Sequence, residues 1–161
     1  MKKSLYRLLA WLMPLLLLAC DKLPDNGDLD GMWQLMTVEH HDSGEVVDLS
    51  NTQHYWSFRL RLVQFSAHKD INTSVFYAHF THDGNTIHLY DFCSQAKYEK
   101  ETDDNEWVSP AQANIFTPWG FVPQPDPSNP NKTTTSFHVE QLTCSSLILS
   151  NSTTTLSFRK F

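Results

Sequence analysis

Glycine is scarce in this sequence, five in 161 residues, and none belongs to a phosphate-cradling loop. The Gly-x-Ser-x-Gly elbow and the His-Glu-x-x-His helix are missing too, so no nucleophile is singled out with its base, and the expectation is a protein that is not an enzyme, with no catalytic residues and no cofactor. Basic residues are few: twelve Lys and Arg stand against eighteen Asp and Glu. Lys2, Lys3 and Arg7 all fall in the first nineteen residues, and a chain beginning at Cys20 would carry a formal charge of −9. That sign repels phosphate backbones and anionic head groups, which disfavours nucleic acid as a partner. A long hydrophobic run is also lacking, because the apolar stretch at residues 8–18 is too short to span a bilayer.

That short run has a different reading. Behind its basic start it forms the core of a signal peptide, residues 1–19, and Leu17-Leu18-Ala19-Cys20 resembles a bacterial lipobox, in which Ala19 permits cleavage and the Cys20 thiol accepts a diacylglycerol. The expectation is a lipoprotein of the bacterial cell envelope, held through acyl chains on Cys20, in the outer membrane, with either face open. Residues 20–28 are polar, contain Pro and Gly, show no periodicity, and suit a tether. Residues 29–161 form one domain around one core.

The folded part opens on Leu29-x-Gly31-x-Trp33-x-Leu35. Gly31 lets the backbone enter a strand tightly while the Trp33 indole turns inward to close one end of an apolar interior. At the other terminus residues 154–160 alternate as a last strand and supply Arg159 as a lid over Trp33, so that first and last strands meet and the sheet closes. Between them strands are expected at residues 32–39, 46–49, 55–65, 75–81, 86–92, 135–142 and 147–151. In the third of these Trp56, Phe58, Leu60 and Leu62 share one face; in the fourth, Phe76, Ala78 and Phe80 do. Asp83-Gly84 marks a hairpin. Ser109-Pro110 has the start of a short helix running to Ile115, a plug for one end, and a polar proline-rich loop at 124–131 precedes the last three strands. The fold class is all-β: an antiparallel up-and-down barrel of about eight strands, a size that encloses side chains or one small ligand.

Three constellations bear on function. Trp56, Phe58, Leu60, Phe76, Ala78 and Phe80 are first of all core, and would line a ligand cavity if they leave space between them. His79, His82 and His88 flank the Asp83-Gly84 turn, and a two-residue turn would set position 79 against 88 as half of a metal site. Without a third ligand at a recognisable spacing the preferred reading is exposed strand histidines and no metal. Cys93 and Cys144 are the thiols left beyond Cys20 in an oxidising compartment, and a disulfide between them is expected.

The lipobox at Cys20, the Gly31-x-Trp33 opening, Trp119-Gly120-Phe121 after the short helix, and the ending through Phe137-x-Val139, Leu147-Ile148-Leu149 and Phe158-Arg159-Lys160-Phe161 together resemble the small lipocalin-like lipoproteins common in Bacteroidetes. The resemblance implies an antiparallel barrel whose interior accepts an apolar molecule, no established enzymatic activity, and an arginine stacked on the Gly-x-Trp indole, matching Arg159 and Trp33. Two functions stay open: a lipid-tethered binding module for a small apolar ligand, or an accessory envelope lipoprotein with a filled barrel that acts through an unknown protein partner, marked by an exposed apolar patch near Trp107 or Trp119.

Overall fold

The computed structural model describes residues 26–69, 72–95 and 107–161. The leader, Cys20 and the acidic stretch at 99–106 lie outside the described residues. Among the described residues ten strands follow one another: β1 (Gly31–His40), β2 (Val46–Asp48), β3 (His54–Arg59), β4 (Leu62–Lys69), β5 (Asn72–Asp83), β6 (Thr86–Ser94), β7 (Gln124–Asp126), β8 (Asn129–Leu142), β9 (Ser146–Ser150) and β10 (Thr154–Lys160). Every pairing is antiparallel. β1, β3, β4, β5, β6, β8, β9 and β10 form a ring of eight, closed by β10 against β1 over Trp33↔Lys160 to His40↔Thr154, while short β2 and β7 lie beside β1 and β8. Meander order keeps each strand beside its sequence neighbour in the ring, and closure leaves the ring itself without an open edge, short β2 and β7 being paired on one side only.

The run expected as one strand at 55–65 is two. Leu60 and Arg61 form a tight turn, with Leu60 at φ 57°, and Phe58 pairs with Val63. Two residues in the turn reverse the parity that the alternation seemed to carry through. Phe58, Val63 and Phe65 point inward, and Leu60 is exposed. The stretch expected as a proline-rich loop is a hairpin: β7 pairs with β8, which begins at Asn129 instead of residue 135. Proline is tolerated there because β7 is an edge piece whose ladder donors are not all required. Asp126 Oδ1 accepts hydrogen bonds from the Ser128 N–H and hydroxyl, both at 2.7 Å, and holds the turn.

Both ends of the ring are shut. At one, a single 3-10 turn (Gly27–Leu29) buries Leu29, whose carbonyl accepts the Trp33 indole N–H at 2.8 Å. At the other, a 3-10 helix (Pro110–Trp119) lies across the opening and seats Phe116 and Trp119, followed by Phe121, in the core. This cap starts at the expected Ser109-Pro110, where Gln112 Oε1 accepts from the Ser109 N–H and hydroxyl at 3.2 Å. It continues past Ile115 and through Pro118 to Gly120, which ends it at φ +86°, a conformation suited to glycine.

Candidate functional site

Among the described residues the barrel interior is packed with aromatic and aliphatic side chains. The Trp56 ring sits 4.9 Å from Phe65, 5.1 Å from Phe121 and from Phe158, and 5.7 Å from Phe137 between centroids. Phe116 of the cap packs on Phe92 at 4.9 Å and on Phe65 at 5.3 Å. Edge-to-face pairs of this kind add about 0.5–1.5 kcal/mol each beyond the area they bury, so barrel wall and cap form one aromatic core. Among the described residues one buried side-chain polar atom lacks a hydrogen-bond partner, Trp56 Nε1.

Open space lies beside the cap, on the rim. A solvent-open groove of about 820 Å³ runs between the ends of β3, β4 and β5 and the cap helix. Its apolar wall is Ala67, Phe76, Ile115, Pro118 and Trp119; its polar wall is the loop at 51–53 with His54, His68 and Ser74. Trp119 is fixed by its indole N–H, which donates to the Ser66 carbonyl at 3.3 Å, and its ring meets Phe76 and His54 edge-on at 5.6 and 6.0 Å.

The polar wall is held from behind. Gln34 on β1 is buried, and its amide nitrogen donates to the carbonyls of Ser50 and Thr52 at 3.1 and 3.0 Å. The Thr52 hydroxyl donates to the Leu49 carbonyl at 2.7 Å, and His54 Nδ1 lies 2.9 Å from that hydroxyl. Burial pushes the His54 pKa below the ordinary histidine value, because the cationic ring would lose hydration at this site. None of the described lining residues is Asp, Glu, Lys or Arg.

The family profile of a lipocalin-like domain matches residues 15–161. The chain belongs to this lipocalin-like family. Two solved structures share its fold. A lipocalin-like protein from Bacteroides uniformis ATCC 8492 is 24% identical, with a TM-score of 0.57 over 84% of this chain and 100% of its own. An uncharacterised protein from Bacteroides eggerthii DSM 20697 is 22% identical, with a TM-score of 0.57 over 83% of this chain and 99% of its own. No curated protein sequence matches.

On this lipocalin-like barrel the residues expected at the site separate. Trp56, Phe58, Ala78 and Phe80 are buried core, Leu60 is at the β3–β4 turn, and Phe76 alone of the six lines the rim groove. First and last strands do meet, but Arg159 is not the lid on Trp33. Arg159 pairs with Gln34 and donates to Gln34 Oε1 at 2.9 Å; the cation over the indole is Lys160, Nζ 4.9 Å from the ring centroid. Parity is the reason. Leu156 and Phe158 point inward, so residue 160 shares their face and residue 159 takes the other. Gly31, at φ +121°, leaves room for that lysine: a Cβ there would stand 3.0 Å from Lys160 Cε.

The β5–β6 turn is Gly84-Asn85, one residue later than expected, and His79 therefore faces Tyr90 instead of His88. Both imidazoles stack on Tyr90, at 5.6 and 5.7 Å between centroids, and no group of three metal-ligating side chains occurs among the described residues. Cys93 and Cys144 are not joined. Cys93 is buried on β6, seven residues from the hairpin end; Cys144 is exposed in the β8–β9 turn at that end, and at about 3.3 Å per strand residue the separation is several times what a disulfide spans. Trp119 is buried, and Trp107 is half-buried with Lys132 Nζ 4.3 Å from its ring centroid.

His54 and the rim groove were missed by the sequence reading. The signal available was the plug itself: a cap laid over a barrel mouth leaves a crevice where its edge meets the rim.

Proposed function

We propose that this protein is a non-enzymatic binding module, anchored to the cell envelope through acylated Cys20, that takes a small, largely apolar molecule in the rim groove beside the cap. The observation that carries the reading is the groove: its volume falls within the range of small-molecule sites, one wall is aromatic and aliphatic, and the other presents a few fixed polar groups. The aromatic packing of the interior supports a site at the rim over one on the barrel axis.

The test is native mass spectrometry of the protein purified from its own host membranes. A retained small molecule is expected, and once released it should rebind wild type and fail to rebind Ile115→Asp. Ile115 is partly exposed, so the substitution spares the core while charging the apolar wall. A protein that carries nothing, and that binds no apolar probe at millimolar concentration, would overturn the proposal.

A further inference from the structure

Resting on the groove reading, we infer that the ligand carries a hydrogen-bond donor, a hydroxyl or amide N–H, which it delivers to Nε2 of His54. The argument begins with Thr52. Its hydroxyl oxygen is 2.7 Å from the Leu49 carbonyl oxygen, which can only accept, and two unprotonated oxygens at that distance would repel; the single hydroxyl proton therefore lies between them. His54 Nδ1, 2.9 Å from the same hydroxyl, finds a lone pair there and must carry the proton of the neutral ring. Nε2 is left as a bare acceptor. It makes no hydrogen bond to the described residues, and His54 is on the groove wall.

Burial supports the neutral state by disfavouring the imidazolium. Ile115, Phe76 and Pro118, backed by the buried Trp119, supply the apolar surface beside it. The combination fits an apolar alcohol, phenol or amide. It opposes a carboxylate, whose lone pairs would meet the Nε2 lone pair.

Two probes of nearly equal shape test this on the full mature protein at pH 7.5: 2-naphthol, which has the donor, and 2-methoxynaphthalene, which lacks it. Calorimetric titration should show naphthol binding about tenfold tighter, the worth of one hydrogen bond at a site where the unmet acceptor is partly desolvated. In His54→Phe the preference should fall to within about twofold, and Ile115→Asp should weaken both probes alike. Independently of any variant, ¹⁵N chemical shifts of the His54 ring should show a protonated Nδ1 and an unprotonated Nε2.

Equal affinities for the two probes, or the opposite tautomer, would overturn the donor inference and leave the groove reading standing. Binding of neither probe would overturn both. Should His54→Phe fail to fold, the two-probe comparison and the tautomer decide the matter on wild type.

Discussion

Arg159 on the last strand donates to Gln34 on the first, and Gln34 in turn holds the loop that forms the polar wall of the rim groove. The guanidinium meets Gln34 Oε1 at 2.9 Å while the Gln34 amide nitrogen reaches the carbonyls of Ser50 and Thr52. Barrel closure and the site are thus joined through one buried amide. Gln34→Leu should cost about 1–3 kcal/mol, since it strands two carbonyls and an arginine head. Arg159→Met should cost less, because its head is near solvent. In a double-mutant cycle by urea unfolding the pair should couple by about 0.5–1.5 kcal/mol, the range of an ordinary hydrogen bond, because solvent around the exposed arginine weakens the contribution of its charge. Independent effects would mean that the contact contributes nothing.

The indole of Trp33 should couple to Lys160 and not to Arg159. Lys160→Met keeps the aliphatic stem and removes the charge, and the loss expected is about 0.5–1 kcal/mol for a half-buried lysine over the face of a buried ring. Nζ also donates to the Asp28 carbonyl at 2.7 Å, which ties the terminal strand to the turn that closes this end. Trp33→Ala removes packing as well and should cost about 3–5 kcal/mol. A cycle pairing Trp33→Leu with each cation separates the two: coupling to Arg159 larger than to Lys160 would contradict the register.

Much of the architecture was legible because a closed antiparallel barrel writes itself as alternation. Gly31-x-Trp33 at one terminus and Leu156-x-Phe158 at the other marked the strands that meet, and Ser109-Pro110 marked the start of the cap. The same alternation contained the correct cation, since Lys160 follows Leu156 and Phe158 at a spacing of two. What alternation does not carry is turn placement. The Leu60-Arg61 turn reverses parity without any Gly, Pro or Asn to announce it, and that one turn exposed Leu60. Gly84-Asn85 displaced the histidine register by the same arithmetic. The groove was illegible for another reason: it lies between the cap and three strand ends distant in sequence, and empty space has no residue pattern.

The two described cysteines differ in exposure, which gives a quick chemical check. Cys144 in its open turn should react with a thiol reagent in the native protein, and Cys93, 6% exposed on β6, only after unfolding. Adding a reductant should leave the unfolding midpoint unchanged. A reductant-dependent midpoint, or two thiols missing from the denatured and unreduced protein, would show a bridge.

Gly120 is the position where the cap depends most on a missing side chain. Its φ of +86° is in the left-handed region, and a Cβ would come 2.5 Å from Leu156 Cδ2 and 2.8 Å from Val38 Cγ2. Gly120→Ala combines about 1 kcal/mol of backbone strain with about 1–3 kcal/mol of overpacking. The expected loss is about 2–4 kcal/mol on chemical denaturation. A neutral Gly120→Ala would mean that the cap does not press on Val38 and Leu156.

Stability should fall with acidification through the titration of His54, and the sign follows from its environment. Burial lowers its pKa below the ordinary 6.5, so as pH drops past about 6.5 the unfolded chain takes up a proton before the folded one does. Bound protons then favour unfolding. The loss accumulates from near pH 6.5 down to the folded value and levels off below it, whereas above pH 7.5 the residue contributes no slope. Thermal melts of wild type and His54→Gln at pH 7.5 and 5.5 isolate the term, because the rest of the chain is the same in both proteins. Wild type should lose more stability across this interval than the variant does. An equal loss would show that His54 is as well hydrated in the folded chain as in the unfolded one, and that the rim groove does not shield it.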